Sequence, residues 1–211
     1  MRVIGLTGGI ACGKSTVSRM LVKKGYRIID ADLVAREVSR PHSKALRELK
    51  ALCGSRTLLK DKSMNRSFIA SLVFGTDPVW KQEIDKIMGP PIMRKIKRML
   101  VKAGREGYEY VFLDAALLFE TQAQKWCAQI WTVECAQETQ IQRGMERNSI
   151  TREQMLARIG AQMTSSERIK RADRVLTNNG TPAQLEAQVQ DLLGSISEAM
   201  PAKTLLSDPP A

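Results

Sequence analysis

The stretch Gly8-Gly9-Ile10-Ala11-Cys12-Gly13-Lys14-Ser15 has the residue types and spacing to hold phosphate, G-x-x-x-x-G-K-S. Its glycines let the backbone pass close to an anion where a Cβ would collide. Successive N–H groups, followed at once by a helix N-terminus, present positive dipole to phosphate oxygens. Lys14 reaches the β- and γ-phosphates of a nucleotide, and the Ser15 hydroxyl is an oxygen ligand for Mg²⁺. Cys12 is either a small residue tolerated in the loop or a thiol of lowered pKa open to oxidation. A second constellation is Asp30-Ala31-Asp32. A carboxylate at a strand's carboxyl end can orient an alcohol, take its proton or hold a metal-bound water, and it can equally cap the helix that begins near Leu33. Asp114 is a further strand-end acid, a candidate for holding Mg²⁺ through water or a plain polar terminus. Arg143 and Arg147 lie one helical turn apart, placed to neutralise phosphates or to form a solvated basic face.

The elements that must position these groups follow from periodicity. Val3-Ile4-Gly5-Leu6 reads as a buried strand and Lys14 to Lys24 as a helix ended by Gly25. Arg27-Ile28-Ile29 reads as a second strand. A strand, helix and strand in that order make a βαβ unit, which favours a parallel sheet. Residues from about Leu33 to Gly104 read as helical. Asp77-Pro78 starts one helix there, and Gly89-Pro90-Pro91 is expected to break it. Beyond the break, apolar Ile92, Met93, Ile96, Met99, Leu100 and Ala103 oppose Arg94, Lys95, Lys97, Arg98 and Lys102, a basic face taken as solvated. Strands return at Tyr110–Leu113, Ile130–Val133 and Val175-Leu176. Helical periods resume from Gln137, Thr151 with Gln154 and Thr164 with Glu167 read as capping boxes, and Pro182 opens a last helix to about Glu198. Residues 201–211 read as a loose tail. The fold class is therefore α/β, with a helical insertion.

Composition bounds the function. The 211 residues carry 33 Lys+Arg against 22 Asp+Glu, a net charge of +11, which suits a polyanionic partner. Aromatics are only 5% of the chain, and no basic stretch interleaves with them for base stacking, so no nucleic-acid partner is expected. Four cysteines without a C-x-x-C pair and a single histidine, His42, argue against a Cys/His zinc site and for reduced thiols. The apolar start is too short for a signal peptide, and no stretch approaches the ~18 apolar residues of a membrane span, so a cytoplasmic protein with no membrane partner is expected. The late loop Thr177-Asn178-Asn179-Gly180 is not the N/T-K-x-D of a GTPase, and no L-S-G-G-Q run marks a transport ATPase. A small-molecule kinase using ATP and Mg²⁺ fits best.

Taken in order, these motifs resemble the dephospho-coenzyme A kinase family. The residues that carry the resemblance are Gly5 to Ile10, Gly13 to Thr16, Ile29 to Asp32 with Ala35-Arg36, and Leu117-Leu118-Phe119-Glu120. Farther along come Arg158, Gln162-Met163, Ala172-Asp173, Asn178 and Gly180. Departures are Ala116 where the family usually has Pro, Gly89 where it has His, and Arg168 where it has Lys. The resemblance implies a three-layer phosphate-loop (P-loop) fold on a five-stranded parallel sheet. Its core would be about 1–32, 108–142 and 172–198, with an acceptor-binding insertion over 33–107 and a lid over 143–171. It implies transfer of the γ-phosphoryl of ATP to the ribose 3′-hydroxyl of dephospho-coenzyme A. Lys14, Asp32 and Arg143 would be catalytic. Residues Gly8 to Thr16 and Arg147 would hold the nucleotide phosphates, with Asn178 and Gly180 near adenine unless they form a simple left-handed turn. Thr7, Asp32 and Leu118 would serve the acceptor. A monomer or weak homo-oligomer is expected.

Overall fold

A computed structural model describes residues 1–73, 75 and 77–199; the tail expected over 201–211 lies outside them. The chain divides into two compact units, one of Met1–Ile29 with the segment from Leu100 onward, the other Asp30–Met99. In chain order the first unit opens with β1 (Arg2–Gly8), α1 (Lys14–Lys23) and β2 (Arg27–Asp30). The second holds α2 (Ala31–Val38), α3 (Lys44–Cys53), α4 (Arg66–Val73) and most of α5 (Pro78–Arg105). The chain then returns through β3 (Tyr110–Asp114), β4 (Gln129–Glu134), α6 (Gln137–Asn148), α7 (Arg152–Gly160), α8 (Ser165–Arg171), β5 (Arg174–Thr177) and α9 (Pro182–Ala199).

The five strands form one sheet in the order β2-β3-β1-β4-β5. β1 pairs in parallel with β3 and β4 on its two sides, and β4 with β5. A central parallel strand is covered on both faces, which is why β1 reads as a continuous apolar run rather than an alternating one. Register places Leu6 beside Asp114 on one side and Trp131 on the other, and Gly8 beside Val133. The carboxyl ends of β1, β3 and β4 thus reach the same level, where ligands of such sheets gather. Beneath them Ile4, Leu6, Val17, Leu21, Phe112, Trp131 and Val133 form a closed core with Leu185 and Val189 of α9. Phe112 makes edge contacts with Trp131 and Tyr26 at ring separations of 5.2 and 5.4 Å. Each such fully buried side chain is worth about 1.5–3 kcal/mol.

Two expectations are corrected. Gly89-Pro90-Pro91 does not break the helix: α5 runs through both prolines as one 28-residue helix. The prolines donate no N–H to the carbonyls of Lys86 and Ile87, a cost of about 3 kcal/mol each. Ile84 on one side and Ile96, Leu100 and Ala103 on the other are buried, and their packing offsets it. Thr151 and Gln154 do form a complete capping box. At Thr164 only the forward bond forms, from the Glu167 N–H, because the Glu167 carboxylate accepts from Arg171 one turn on at 2.7 Å.

In the second unit Leu49, Ile69 and Ile84 form a separate small core, with Met64, Phe68 and Met88 packed against it. Asp77 caps α5 by accepting from the Val79 N–H at 2.9 Å. No described helix is long and apolar enough to cross a membrane.

Candidate functional site

The loop between β1 and α1 is held in a strained, tightly packed shape. Gly13 caps α1 with φ +98°, and Ala11 also sits at positive φ, +60°. The Cys12 N–H donates to the Gly9 carbonyl at 3.1 Å, and the Thr16 and Val17 N–H groups donate to the Gly13 carbonyl. Glycine is required at the two ends for packing as well as for ligand approach. A Cβ on Gly8 would stand 2.4 Å from the Val133 carbonyl oxygen, and one on Gly13 would stand 2.2 Å from Asn178 Nδ2. That same Nδ2 donates to the Cys12 carbonyl at 2.8 Å, so the carboxyl ends of β4 and β5 brace the loop from behind. No acidic residue occupies the first turn of α1, and its positive end is left for an anion.

Lys14 donates to Asp114 Oδ1, and Ser18 donates to Oδ2 of the same carboxylate at 2.5 Å. Asp114 is buried, and a buried carboxylate needs such partners. Ser15, by contrast, is exposed at the start of α1. Among the described residues no cluster of three or more His, Cys, Asp or Glu could hold a metal alone. Mg²⁺ does not require one: it is usually held through one or two protein oxygens plus substrate phosphates. The exposed Ser15 hydroxyl at the mouth of an anion-binding loop, with the Asp114 carboxylate tied to the adjacent lysine, is a hard-oxygen donor set that fits Mg²⁺.

The later segments close on the loop through side chains. Gln162 Oε1 accepts from the Ile10 N–H at 2.9 Å. Next to it, the Met163 N–H donates to Glu120 Oε1 at 3.3 Å and the Met163 carbonyl accepts from Arg168. Arg168 also forks onto Glu134 at the end of β4, with N···O distances of 2.8 and 3.0 Å. Thr132 and Ser165 donate to the same carboxylate at 2.6 and 2.7 Å. Burial alone would raise the Glu134 carboxyl, but the hydrogen bonds from Arg168, Thr132 and Ser165 outweigh it and hold the group below the usual carboxylate range. Gln140 of α6 donates to Cys12 Sγ at 2.9 Å.

Of the other residues singled out in the sequence, Arg143 donates to the Asn178 carbonyl at 3.1 Å, and Arg147 is exposed one turn farther along α6. Neither Asn178 nor Gly180 has a positive φ, so this is not a left-handed turn. Thr7 is buried in β1 and its hydroxyl lies 3.4 Å from the Ala116 carbonyl. Leu118 is fully buried, within 2.7 Å of where a Cβ on Gly5 would be, and presents no surface to a ligand; Leu117, 41% exposed, does. The contacts of Gln140 and Gln162 with the loop, and the pairing of Glu134 with Arg168, go beyond the sequence reading. The one signal for Glu134 is its place as an acid ending the apolar run of β4.

Within the second unit, Asp30 is the α2 cap, accepting from the Asp32 and Leu33 N–H groups at 2.8 and 3.0 Å. Asp32 is exposed in the first turn of α2. Lys95 of the basic face pairs with Glu37. Chemically, the loop offers amides and a lysine to a polyphosphate, and Asp32 offers an exposed carboxylate.

A family model described as dephospho-CoA kinase matches residues 2–184. A dephospho-CoA kinase of Listeria monocytogenes is 37% identical over 188 residues, 89% of this chain and 94% of that one. One of Geobacter sulfurreducens is 38% identical over 192 residues, 91% of this chain and 97% of the other. A crystal structure from Thermus thermophilus superposes with a TM-score of 0.77 at 32% identity, covering 92% of this chain and 97% of that one.

Proposed function

The chain belongs to the dephospho-CoA kinase family, and we propose that it moves the γ-phosphoryl group of ATP to the ribose 3′-hydroxyl of dephospho-CoA, giving CoA and ADP. The observation that carries this reading is the braced loop ending in Gly13-Lys14-Ser15, in a chain matched to that family from residue 2 to residue 184.

In this reading the N–H groups from Ala11 to Thr16 grip the β-phosphate, with Gly8, Gly9 and Ile10 shaping the approach. Lys14 exchanges Asp114 for the oxygens bridging β and γ, where its charge grows in value as the transferred group separates. Bound Mg²⁺ supplies charge neutralisation on the phosphate oxygens. Ser15 would hold the metal through its hydroxyl, and Asp114, still tied to Ser18, would supply a second oxygen donor beside it. Arg143 and Arg147 bring positive charge from the lid segment, residues 143–171. Asn178 and Gly180 serve the nucleotide side, Asn178 through the loop carbonyl it holds.

Asp32 aims the acceptor hydroxyl and receives its proton on a carboxylate oxygen as the O–P bond forms. Thr7, buried in β1, acts from behind the site by holding the Ala116 carbonyl. The insertion, residues 33–107, carries the acceptor, and the exposed Leu117 stands in for Leu118 as the apolar contact. The protein works in the cytoplasm on small molecules, as a monomer or weak homo-oligomer.

The test is ADP release measured with dephospho-CoA, nucleosides and nucleoside monophosphates in turn. Turnover with dephospho-CoA is expected; turnover with a monophosphate alone refutes the reading. Asp32→Asn is expected to keep ATP binding and lose about 10²- to 10⁴-fold in transfer, the usual worth of a positioned base.

A further inference from the structure

We propose that Cys12 and Cys135 are a dithiol that peroxide converts to an intramolecular disulfide, and that this bond weakens nucleotide binding by displacing the phosphate loop. Cys12 lies inside the loop, and Cys135 is the residue that follows β4. Their sulfurs are in contact at 3.1 Å, with Cys135 donating to Cys12. Gln140 donates to the same Cys12 sulfur from the other side at 2.9 Å. Two donors on one sulfur stabilise negative charge there. The Cys135 hydrogen bond leads, with help from Gln140, and it outweighs burial and the nearby Glu134, so the Cys12 thiol is held below its ordinary value. Cys135, which supplies that proton, is pushed up. The other two thiols differ. Burial pushes Cys127 up to about 12, and it also raises Cys53. The thiolate is the species that peroxide attacks.

The chemistry balances with hydrogen peroxide as the oxidant. One sulfur attacks peroxide, takes one oxygen and becomes a sulfenic acid, while the other oxygen leaves as water. The second sulfur then displaces the sulfenic hydroxyl, which leaves with its thiol proton as a second water, and the S–S bond forms. Two thiols are oxidised and one peroxide is reduced. The half-buried Cys135 gives the pair its solvent-facing edge, and either sulfur reacting first leads to the same bond.

Closing 3.1 Å to the ~2.05 Å of a covalent bond requires about 1 Å of movement. Cys135 follows directly on Glu134, which pairs with Thr177 of β5 and is forked by Arg168, so that side is fixed. The loop must move. Misplacing one amide of a phosphate cradle costs about one charge-assisted hydrogen bond, roughly ten- to hundredfold in affinity. Linkage makes the effect mutual, so bound ATP disfavours the bond by the same factor, and a loop held on phosphate also hinders the approach of the two sulfurs.

The test uses the full chain, hydrogen peroxide, a non-reducing peptide map and binding of a fluorescent ATP analogue. Expected are a Cys12–Cys135 linked peptide, analogue binding weakened ten- to hundredfold, restoration by dithiothreitol, and slower linkage when ATP is present. Cys135→Ser is expected to keep basal binding and yield no linked peptide, with Cys12 trapped by dimedone after peroxide. Linkage through Cys53 or Cys127 instead, no linkage at all, or a Cys12–Cys135 bond with unchanged analogue binding overturns the proposal. Analogue binding needs no acceptor, so a chain that binds none before peroxide signals failure of the kinase reading rather than of this one.

Discussion

Alanine at position 13 tests whether the loop is braced by the sheet or merely shaped by its own turn. Gly13 has φ +98°, where an L-residue loses about 1–2 kcal/mol. The new Cβ would stand 2.2 Å from Asn178 Nδ2. Asn178 can withdraw only by giving up its 2.8 Å bond to the Cys12 carbonyl, a buried loss of about 1–3 kcal/mol. Together Gly13→Ala should cost about 2–5 kcal/mol. Gly107 is the control: its φ is +83° and no atom lies within 4 Å of its added Cβ, so Gly107→Ala should cost only the backbone strain, about 1–2 kcal/mol. Urea unfolding read at constant m-value measures both. Asn178→Ala placed in the Gly13→Ala background removes the clash, so the two changes should be sub-additive by about 1 kcal/mol or more. Equal losses at positions 13 and 107, or full additivity with Asn178→Ala, would refute the reasoning.

Glu134→Gln should destabilise the protein by roughly 3 kcal/mol at neutral pH, because it leaves the Arg168 charge buried without its partner. The Glu134 carboxyl is depressed on folding, so its contribution is present above the ordinary value of 4.5 and is lost as pH falls through the folded one. The gap between wild type and variant in thermal melts should therefore narrow below about pH 4.5, and a gap that stays constant speaks against the ion pair. Arg143→Ala should slow ADP formation by about 10³-fold or more, by analogy with arginine fingers, with KM for ATP changing far less; a pure KM effect would make Arg143 a binding residue only.

Much of this was legible from local pattern. The apolar run of β1, the octet after it and the capping signals at Thr151 and Pro182 each depend on residues a few positions apart, which sequence reports directly. Asp30 was readable as a cap for the same reason. What escaped was non-local. Gln162 belongs to a motif that the sequence shows, but its bond to the Ile10 N–H spans 152 positions and local pattern does not give it that partner. Leu118 sits in a readable motif, yet which of two adjacent leucines faces inward depends on Gly5 opening space for it. The prolines of α5 misled because a local rule was judged without the packing on either side.

Arg168 ties three things at once: two oxygens of Glu134 and the Met163 carbonyl. A lysine, with one nitrogen, cannot span both partners from the same place. The residue that the resemblance finds usual at this position would here be an injury unless its surroundings changed with it. Positions 134 and 168 are therefore coupled: a change at either is tolerated only with a matching change at the other.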